Sequence, residues 1–298
     1  WQDDRPVAAV VFYRALVQAG NLAAVDALVA GLEKRGMNPL PLFTSSLKDP
    51  VAAAILEGVL AEAPPDVILN ATGFAVSAPG GEPAQTPFSA CDCPVLQVVF
   101  ATSTEAAWRQ GTHGLAPRDI AMNVALPEVD GRILSRAVSF KGEAYRDPLT
   151  EADLVQYVPV ADRIDFVCSL AAAWSRLRRK QPAERRIALV LANYPNRDGR
   201  IGNGVGLDTP AGTLNVLRAL AEAGYRVEEI PESGNALVDR LLAGPTNDMA
   251  SLQGREVAES LPMSDYAPYF ASLPRAVQDR VASRWGSAET DPRYRPGR

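Results

Sequence analysis

The chain has 298 residues, 47% of them hydrophobic and 22% charged, with a formal net charge of −5. This length predicts two domains, and the composition is that of a folded globular protein, not a disordered one. The acidic balance argues against a nucleic-acid or anionic-membrane partner, and no uncharged stretch approaches the length of a membrane span. Three cysteines in a chain of this size indicate a reducing compartment, so we expect a cytoplasmic protein. Because the sequence opens on Trp1, we expect it to be a piece of a longer polypeptide.

The first half of the chain alternates strand and helix patterns. Continuous apolar runs predict buried strands, and helical spacing of apolar residues predicts the helices between them. The strands are predicted at 6–14, 38–43, 65–72 and 94–100, and the helices at 23–36 and 51–63. This rhythm is typical of a parallel sheet with right-handed crossovers. The long loop 73–94, at the carboxyl end of the third predicted strand, is of the kind that is usually functional or disordered.

The second half repeats the pattern less regularly. Its longest helix is predicted at 161–180, and Thr209 and Pro210 are expected to begin another helix as N-cap and first residue. Strands are predicted at 185–192 and 225–230, and shorter helices at 235–244 and within 246–285. We therefore predict an α/β protein of two Rossmann-like or flavodoxin-like parallel-sheet units with flanking helices. The first domain is expected at 1–160, and the second at 161–298, comprising the long helix, a second α/β unit and a helical C-terminal part.

The loop 193–213 between a predicted strand and helix is rich in glycine and charge. Its charged residues are Arg197, Asp198, Arg200 and Asp208. Backbone N–H groups of such a turn can bind phosphate. Neither G-x-x-x-x-G-K-[ST] nor G-x-G-x-x-G is present, so we expect neither ATP hydrolysis nor NAD binding by this chain. A surface loop with Arg–Asp pairs and a ligand-binding loop remain equally open.

Other candidate residues carry weaker signals. Cys91 and Cys93 form a C-x-C pair that, with Cys168, matches no zinc spacing, so reduced and unreactive thiols are expected. His113, the single histidine, is expected to be solvated. In LPEVDG (126–131), Glu128 and Asp130 could bind a divalent cation or accept a proton. A β-turn with a surface glutamate is the interpretation that these residues alone favour.

Three stretches resemble a known family. ANYPNRDGRIGNGVGLDTPAGTLNVLRALAEAGY (192–225) resembles the signature region of the cobaltochelatase large subunit (CobN), whose family includes the large porphyrin-binding subunits of magnesium chelatase. MNVALPEVDGRILSRAVSFK (122–141) and residues 10–43 resemble two further blocks of these proteins. The resemblance covers nearly the whole chain. Since family members are much longer, it implies a central fragment of a large tetrapyrrole-binding subunit.

The resemblance implies a metal-inserting ligase that works as part of a multi-subunit complex. The expected reaction is insertion of cobalt(II), a substrate here, into hydrogenobyrinic acid a,c-diamide during aerobic cobalamin biosynthesis. ATP is expected to be hydrolysed by separate AAA+ partner subunits of the CobS and CobT type and not bound by this chain. A magnesium-chelatase-type porphyrin-binding subunit and a non-catalytic scaffold or docking module are the alternatives. A periplasmic-type receptor of two α/β lobes fits the domain count but not the sequence blocks.

The resemblance also implies roles for individual residues. Glu128 matches a glutamate in the PE-x-DG block of the magnesium chelatase relatives, and is the expected metal ligand and base. Asp165, where RID replaces the relatives' RVE, is the second acidic candidate, with a side chain shorter by one methylene. The corrin substrate carries many carboxylates, which arginine can bind bidentately. The expected substrate-binding residues are Arg132, Lys141, Asn196, Arg197, Asp198 and Arg200.

Overall fold

The computed structural model describes residues 1–142, 145–194, 198–246, 248, 255–257 and 259–296. The chain divides into two compact units, Trp1–Lys180 (unit 1) and Gln181–Arg298 (unit 2). In the described ranges, no helix combines the length and the apolar composition needed to cross a membrane.

Unit 1 is built on a mostly parallel sheet. Its strands are β1 (Val7–Tyr13), β2 (Asn38–Thr44), β3 (Val67–Asn70), β4 (Val95–Phe100) and β5 (Ile133–Lys141), followed by the short β6 (Tyr145–Arg146), β7 (Asp153–Leu154) and β8 (Tyr157–Pro159). The six-stranded sheet has the order β2-β1-β3-β4-β5-β8, while β6 and β7 form a separate pair. β1 to β5 are parallel, and β8 is antiparallel to β5. The predicted α/β fold with a parallel sheet is confirmed in this unit.

Helices cover both faces of the sheet. They are α1 (Arg14–Gln18), α2 (Ala23–Glu33), α3 (Pro50–Glu62), α4 (Glu105–Gln110), α5 (Pro117–Ile120), α6 (Leu126–Val129) and α7 (Ala161–Arg179). On one face, α2 and α7 pack through Leu28 and Val167 against alternate residues of β1 such as Val10. On the other face, α3 packs through Leu56 against Ala9. The sequence fits this arrangement because β1 is apolar on both sides, as a doubly covered strand must be.

The edge strand β2 contains two prolines. Pro39 and Pro41 lie opposite Ala8 and Val10 of β1. The N–H of Asn38 points inward and donates to the Pro6 carbonyl. Because backbone N–H directions alternate along a strand, the two proline nitrogens lie on the outer side, where a further strand would need donors.

The helix α7 belongs to unit 1, whereas the sequence had placed it in the second domain. Ile164, Val167 and Ala171 share the core of β1, β3 and β4. At its C-terminal end, Arg179 pairs with Asp66, the residue before β3, at 2.8 Å. The apolar stripe of the helix is buried on the first sheet, so the boundary falls after Lys180 and not before Ala161.

Unit 2 contains α8 (Thr209–Glu222), α9 (Gly234–Ala243), α10 (Met263–Ser272) and α11 (Arg275–Trp285). Asp208, not Thr209, is the N-cap of α8, and its carboxylate accepts from the Ala211 N–H at 3.0 Å. The predicted strands at 185–192 and 225–230, all of which are described, form no strands. Val190 is 91% exposed. A strand needs a neighbour for its ladder of hydrogen bonds, and within the described residues these two segments have none.

Candidate functional site

The candidate site lies where the connection after β3 meets the connection between β4 and β5 in unit 1. There the loop 71–77, after β3, meets the segment 117–132, between β4 and β5; we call these two pieces the rim. The Phe74 N–H donates to the Met122 carbonyl at 2.7 Å. The Asp130 carboxylate accepts from the N–H groups of Val76 at 2.7 Å and Ser77 at 2.9 Å. Backbone polar groups of the loop are thus satisfied by the segment.

A buried polar network lies under the rim. Arg132 donates through Nη2 to Asp130 at 2.8 Å and through Nη1 to the Thr72 carbonyl at 3.3 Å. Asn70 donates to the Gln97 side-chain oxygen at 2.9 Å, and Gln97 donates to the Thr72 carbonyl at 2.9 Å. Since most buried polar groups need a hydrogen-bond partner, these bonds favour one arrangement of the rim, although the Arg132 Nε has no partner among the described residues.

Charge and burial act on this network in opposite directions. Burial alone would raise the pKa of Asp130. The hydrogen bonds from the Ser77 and Val76 N–H groups and the Arg132 charge outweigh it, so the pKa lies below its usual value. Burial lowers the pKa of Arg132, and Asp130 opposes that change. Asp130 is therefore ionised at neutral pH and serves to hold the rim together.

A second buried carboxylate holds the other end of the segment. Asp119 is fully buried and accepts from both the N–H and the hydroxyl of Thr102, at 2.9 and 3.0 Å, and from the Asn123 amide at 3.2 Å. Residues Ala121–Ala125 form a π-helical turn between α5 and α6. Such turns occur frequently at functional sites. The segment that carries Glu128 is thus anchored on both sides of that residue.

Glu128 is an exposed residue in the single turn of α6. Pro127 before it is buried, and the Glu128 carbonyl accepts from the Gly131 N–H at 2.9 Å. Within the described part of the chain, no group donates a hydrogen bond to its carboxylate or forms an ion pair with it. The structure therefore places a free carboxylate on a fixed backbone, which is what a metal ligand or a base requires.

Asp165 lies elsewhere. Its carboxylate forms an ion pair with Arg35 at 2.5 Å, joining the start of α7 to the end of α2. Arg35 stands just before β2, whereas Glu128 lies in the connection that leads from β4 into β5. The structure does not bring these two predicted acidic residues together, because the helix that carries Asp165 packs along the sheet face.

The predicted substrate-binding residues are dispersed. Arg132 is buried and paired with Asp130, so it holds the protein together and is not a surface contact for substrate. Lys141, half-buried, ends β5, and its N–H donates to the Ser103 carbonyl at 3.0 Å.

The remaining four belong to the loop in unit 2. Asp198 pairs with Arg255 at 2.6 Å, and Arg200 is exposed. Asn196 and Arg197 lie outside the described residues.

The three cysteines form no disulfide, and the pKa values of their thiols are raised. Burial is the main cause, and it raises the pKa of Cys93 to about 12 and that of Cys168 to about 11. Over the part of the chain that the structure describes, no three residues among His, Cys, Asp and Glu converge as a metal site would require.

Sequence reasoning missed Phe74 and Asp119. Phe74 has a left-handed backbone, with φ of 62°, and its side chain is 46% exposed. Asp119 looks like a helix-start residue in the sequence, and nothing local reveals that it is fully buried. The one available signal was the position of residue 74 directly after a predicted strand, in a loop of the kind that is usually functional or disordered.

The sequence profile described as CobN/Magnesium Chelatase matches residues 1–296. The chain belongs to the CobN/magnesium chelatase family. It is 52% identical to the aerobic cobaltochelatase subunit CobN of Sinorhizobium sp, over 98% of this chain and 23% of that protein. The CobN of Pseudomonas aeruginosa is 48% identical over 100% of this chain and 24% of its own length. A magnesium-chelatase relative from Rhodobacter capsulatus is 28% identical over 96% of this chain and 24% of its own length.

A solved structure agrees with this assignment. The catalytic subunit of cobaltochelatase from Mycobacterium tuberculosis matches 95% of this chain and 23% of its own, with a TM-score of 0.76 and 33% identity. This member of the CobN/magnesium chelatase family thus spans just under a quarter of the relatives it matches. The resemblance stated from the sequence blocks is confirmed.

Proposed function

We propose that this chain is part of the tetrapyrrole-binding subunit of a cobaltochelatase, which inserts cobalt(II) into hydrogenobyrinic acid a,c-diamide in aerobic cobalamin biosynthesis. The observation that carries the proposal is the free, exposed Glu128 carboxylate on an anchored segment. Similarity to relatives named as cobaltochelatase subunits, 52% and 48% against 28% for a magnesium-chelatase relative, favours cobalt over magnesium.

Metal insertion requires two chemical steps that the protein can assist. The cation must exchange water for ring nitrogens, and a ring nitrogen must lose its proton. A carboxylate can serve as an oxygen ligand to the incoming cation and as an acceptor for the proton. Glu128 takes both roles in this proposal, first binding cobalt at the rim and then accepting the proton that the ring releases.

The neighbouring residues keep Glu128 in position. Asp119 and Asp130 fix the two ends of its segment, and Arg132 holds Asp130. Lys141 and the exposed Arg200 remain candidates for the substrate's carboxylates, as do Asn196, Arg197 and Asp198. Asp165, paired with Arg35, supports the α2–α7 contact instead.

The energy source lies outside this chain in our proposal. ATP is hydrolysed by separate AAA+ subunits of the CobS and CobT type, in the cytoplasm. The absence of a Walker sequence from the 298 residues supports this division of labour.

A second candidate function is a docking or scaffold module, which the surface of unit 2 favours. Val205 is 98% exposed, Val190 91% and Leu207 74%. Exposed apolar side chains of this kind mark surfaces that another part of an assembly covers.

The test uses the 298-residue chain, metal-free hydrogenobyrinic acid a,c-diamide and cobalt(II). Corrinoid binding is followed by visible absorbance, and cobalt affinity is then measured on the corrinoid complex by calorimetry. We expect saturable corrinoid binding and a cobalt affinity at least tenfold weaker in Glu128→Gln, about the value of one charged ligand. Glu57→Gln, an exposed glutamate on α3, is the matched control. No saturation, or equal cobalt affinity in the two variants, would favour the docking module.

A further inference from the structure

Phe74 holds a backbone conformation that does not suit it. Its φ of 62° lies in the left-handed region, where a Cβ crowds the following carbonyl and where glycine or asparagine is favoured. Phe74 is 46% exposed and belongs to none of the three apolar clusters formed by the described residues. The fold therefore gains little from a phenylalanine here and tolerates strain to keep it.

Two hydrogen bonds and one close contact hold the loop around Phe74 in place. The Tyr13 hydroxyl donates to the Gly73 carbonyl at 3.2 Å, and the Phe74 N–H donates to the Met122 carbonyl at 2.7 Å. An added Cβ on Gly73 would stand 2.9 Å from the Asn123 side-chain oxygen, so the π-helical turn touches the loop directly. The ring is thus presented to solvent from a fixed backbone, as a recognition surface would be.

The same rim carries Glu128. Met122, which accepts from Phe74, and Asp130, which accepts from Val76 and Ser77, lie on either side of Glu128 in the chain. Ile120 and Val129 of this segment are also exposed, by 43% and 38%. An aromatic ring, apolar side chains and a free carboxylate are therefore carried by two pieces of chain that contact each other, the loop 71–77 and the segment 117–132. That combination suits a ligand with a broad delocalised face and a polar centre.

We propose that Phe74 is the stacking platform on which one face of the tetrapyrrole rests, beside Glu128. This inference rests on the proposed function. Aromatic rings attract flat π-systems through offset stacking, and a fixed ring loses little freedom when a ligand binds. The strain at residue 74 is maintained because the ring contacts the macrocycle and not the core.

The experiment measures affinity for metal-free hydrogenobyrinic acid a,c-diamide and the melting temperature for three variants. Phe74→Asn keeps the left-handed backbone and removes the ring. We expect its melting temperature to equal or exceed that of the original chain, and its corrinoid affinity to fall about three- to tenfold. Phe74→Tyr, which retains the ring, should bind within twofold, and so should Glu57→Gln, an exposed glutamate of α3.

Each outcome decides a different point. Corrinoid affinity unchanged in Phe74→Asn overturns the platform and leaves the proposed function standing. A clearly lower melting temperature for Phe74→Asn also overturns it, because the ring would then serve the fold. If the original chain shows no saturable corrinoid binding, both this inference and the proposed function are overturned.

Discussion

Asp130 and Arg132 face each other across Gly131 as a buried ion pair, with 2.8 Å between Oδ2 and Nη2 and both side chains 1% exposed. Their other partners are the N–H groups of the loop after β3 and the Thr72 carbonyl. The pair therefore belongs to the support of the rim, and two residues that look like surface turn chemistry in the sequence act inside the protein.

Removing one member of this pair leaves a buried charge without a partner. We expect Arg132→Ala to lower the free energy of unfolding by about 3 to 5 kcal/mol. Urea denaturation measures the loss. Arg14→Ala, at an exposed arginine of α1, is the control and should stay within about 0.5 kcal/mol of the original chain. Similar losses in the two variants would contradict the structural role of Arg132.

The depressed pKa of Asp130 makes stability depend on pH. Its unfolded pKa is about 4, and the folded value is lower, so the unfolded state takes up the proton first as the pH falls. The stabilisation is fully present above about pH 4 to 5 and is lost as the pH falls through the folded pKa. Unfolding free energies measured from pH 6 to pH 3 should therefore fall less steeply in Asp130→Asn. Parallel curves for the two proteins would argue against this interpretation.

Gly73 has room for no side chain. A Cβ there would lie 2.9 Å from the Asn123 oxygen and 3.0 Å from the Met122 carbonyl, so we expect Gly73→Ala to cost about 1 to 3 kcal/mol of stability. Gly58→Ala on α3, where a Cβ meets nothing within 4 Å, should instead stabilise by up to about 1 kcal/mol. Thermal unfolding of the two variants checks the contrast. Equal changes in stability for the two variants would show that the π-helical turn moves away from the added Cβ at little cost.

The cysteines should react slowly with alkylating reagents. Burial raises the pKa of Cys93 to about 12, and since only the thiolate reacts, little of it is reactive at pH 8. Iodoacetamide labelling followed by mass spectrometry should modify Cys91, Cys93 and Cys168 much more slowly in the folded chain than in urea. Rapid labelling of Cys93 in the folded chain would mean that its surroundings open frequently.

Asp165 provides a test of position. Because the Asp165–Arg35 pair is largely exposed on the carboxylate side, we expect Asp165→Asn to lower stability by less than about 1 kcal/mol. Cobalt affinity on the corrinoid complex should match that of the original chain, in contrast to Glu128→Gln. A loss of cobalt affinity comparable to that of Glu128→Gln would return Asp165 to the site.

The sequence predicted the first four strands of this sheet, because β1, β3 and β4 are mostly apolar and the helices between them carry apolar stripes. Asp49 is the N-cap of α3, and its carboxylate accepts from the Val51 and Ala52 N–H groups. The segments 185–192 and 225–230 have strand composition, yet the strand state depends on neighbouring strands that local composition cannot reveal. The domain to which α7 belongs depended on which hydrophobic core its apolar face packs against. The sequence predicted a core in each of the two domains, so it did not decide between them.

The candidate site was likewise predicted only in part from the sequence. Glu128 was identified through resemblance, and only the fold shows that its carboxylate is free. Arg132 was expected to contact substrate because arginine can bind carboxylates bidentately, and only the fold shows that it is buried against Asp130. For Phe74 the only signal was its position after a strand, since a left-handed φ at phenylalanine is imposed by the contacts of Gly73 and Met122 and not by the residue itself.

The prolines of β2 determine how this sheet can meet other chains. The nitrogens of Pro39 and Pro41 face outward and carry no hydrogen. A strand that paired with β2 would therefore find backbone carbonyls but lack two of the N–H donors that its own carbonyls need. The β2 edge therefore disfavours addition of a further strand, whether from a second copy of this chain or from another protein. At the β2 edge, a partner would have to make contact through side chains and not by adding a strand.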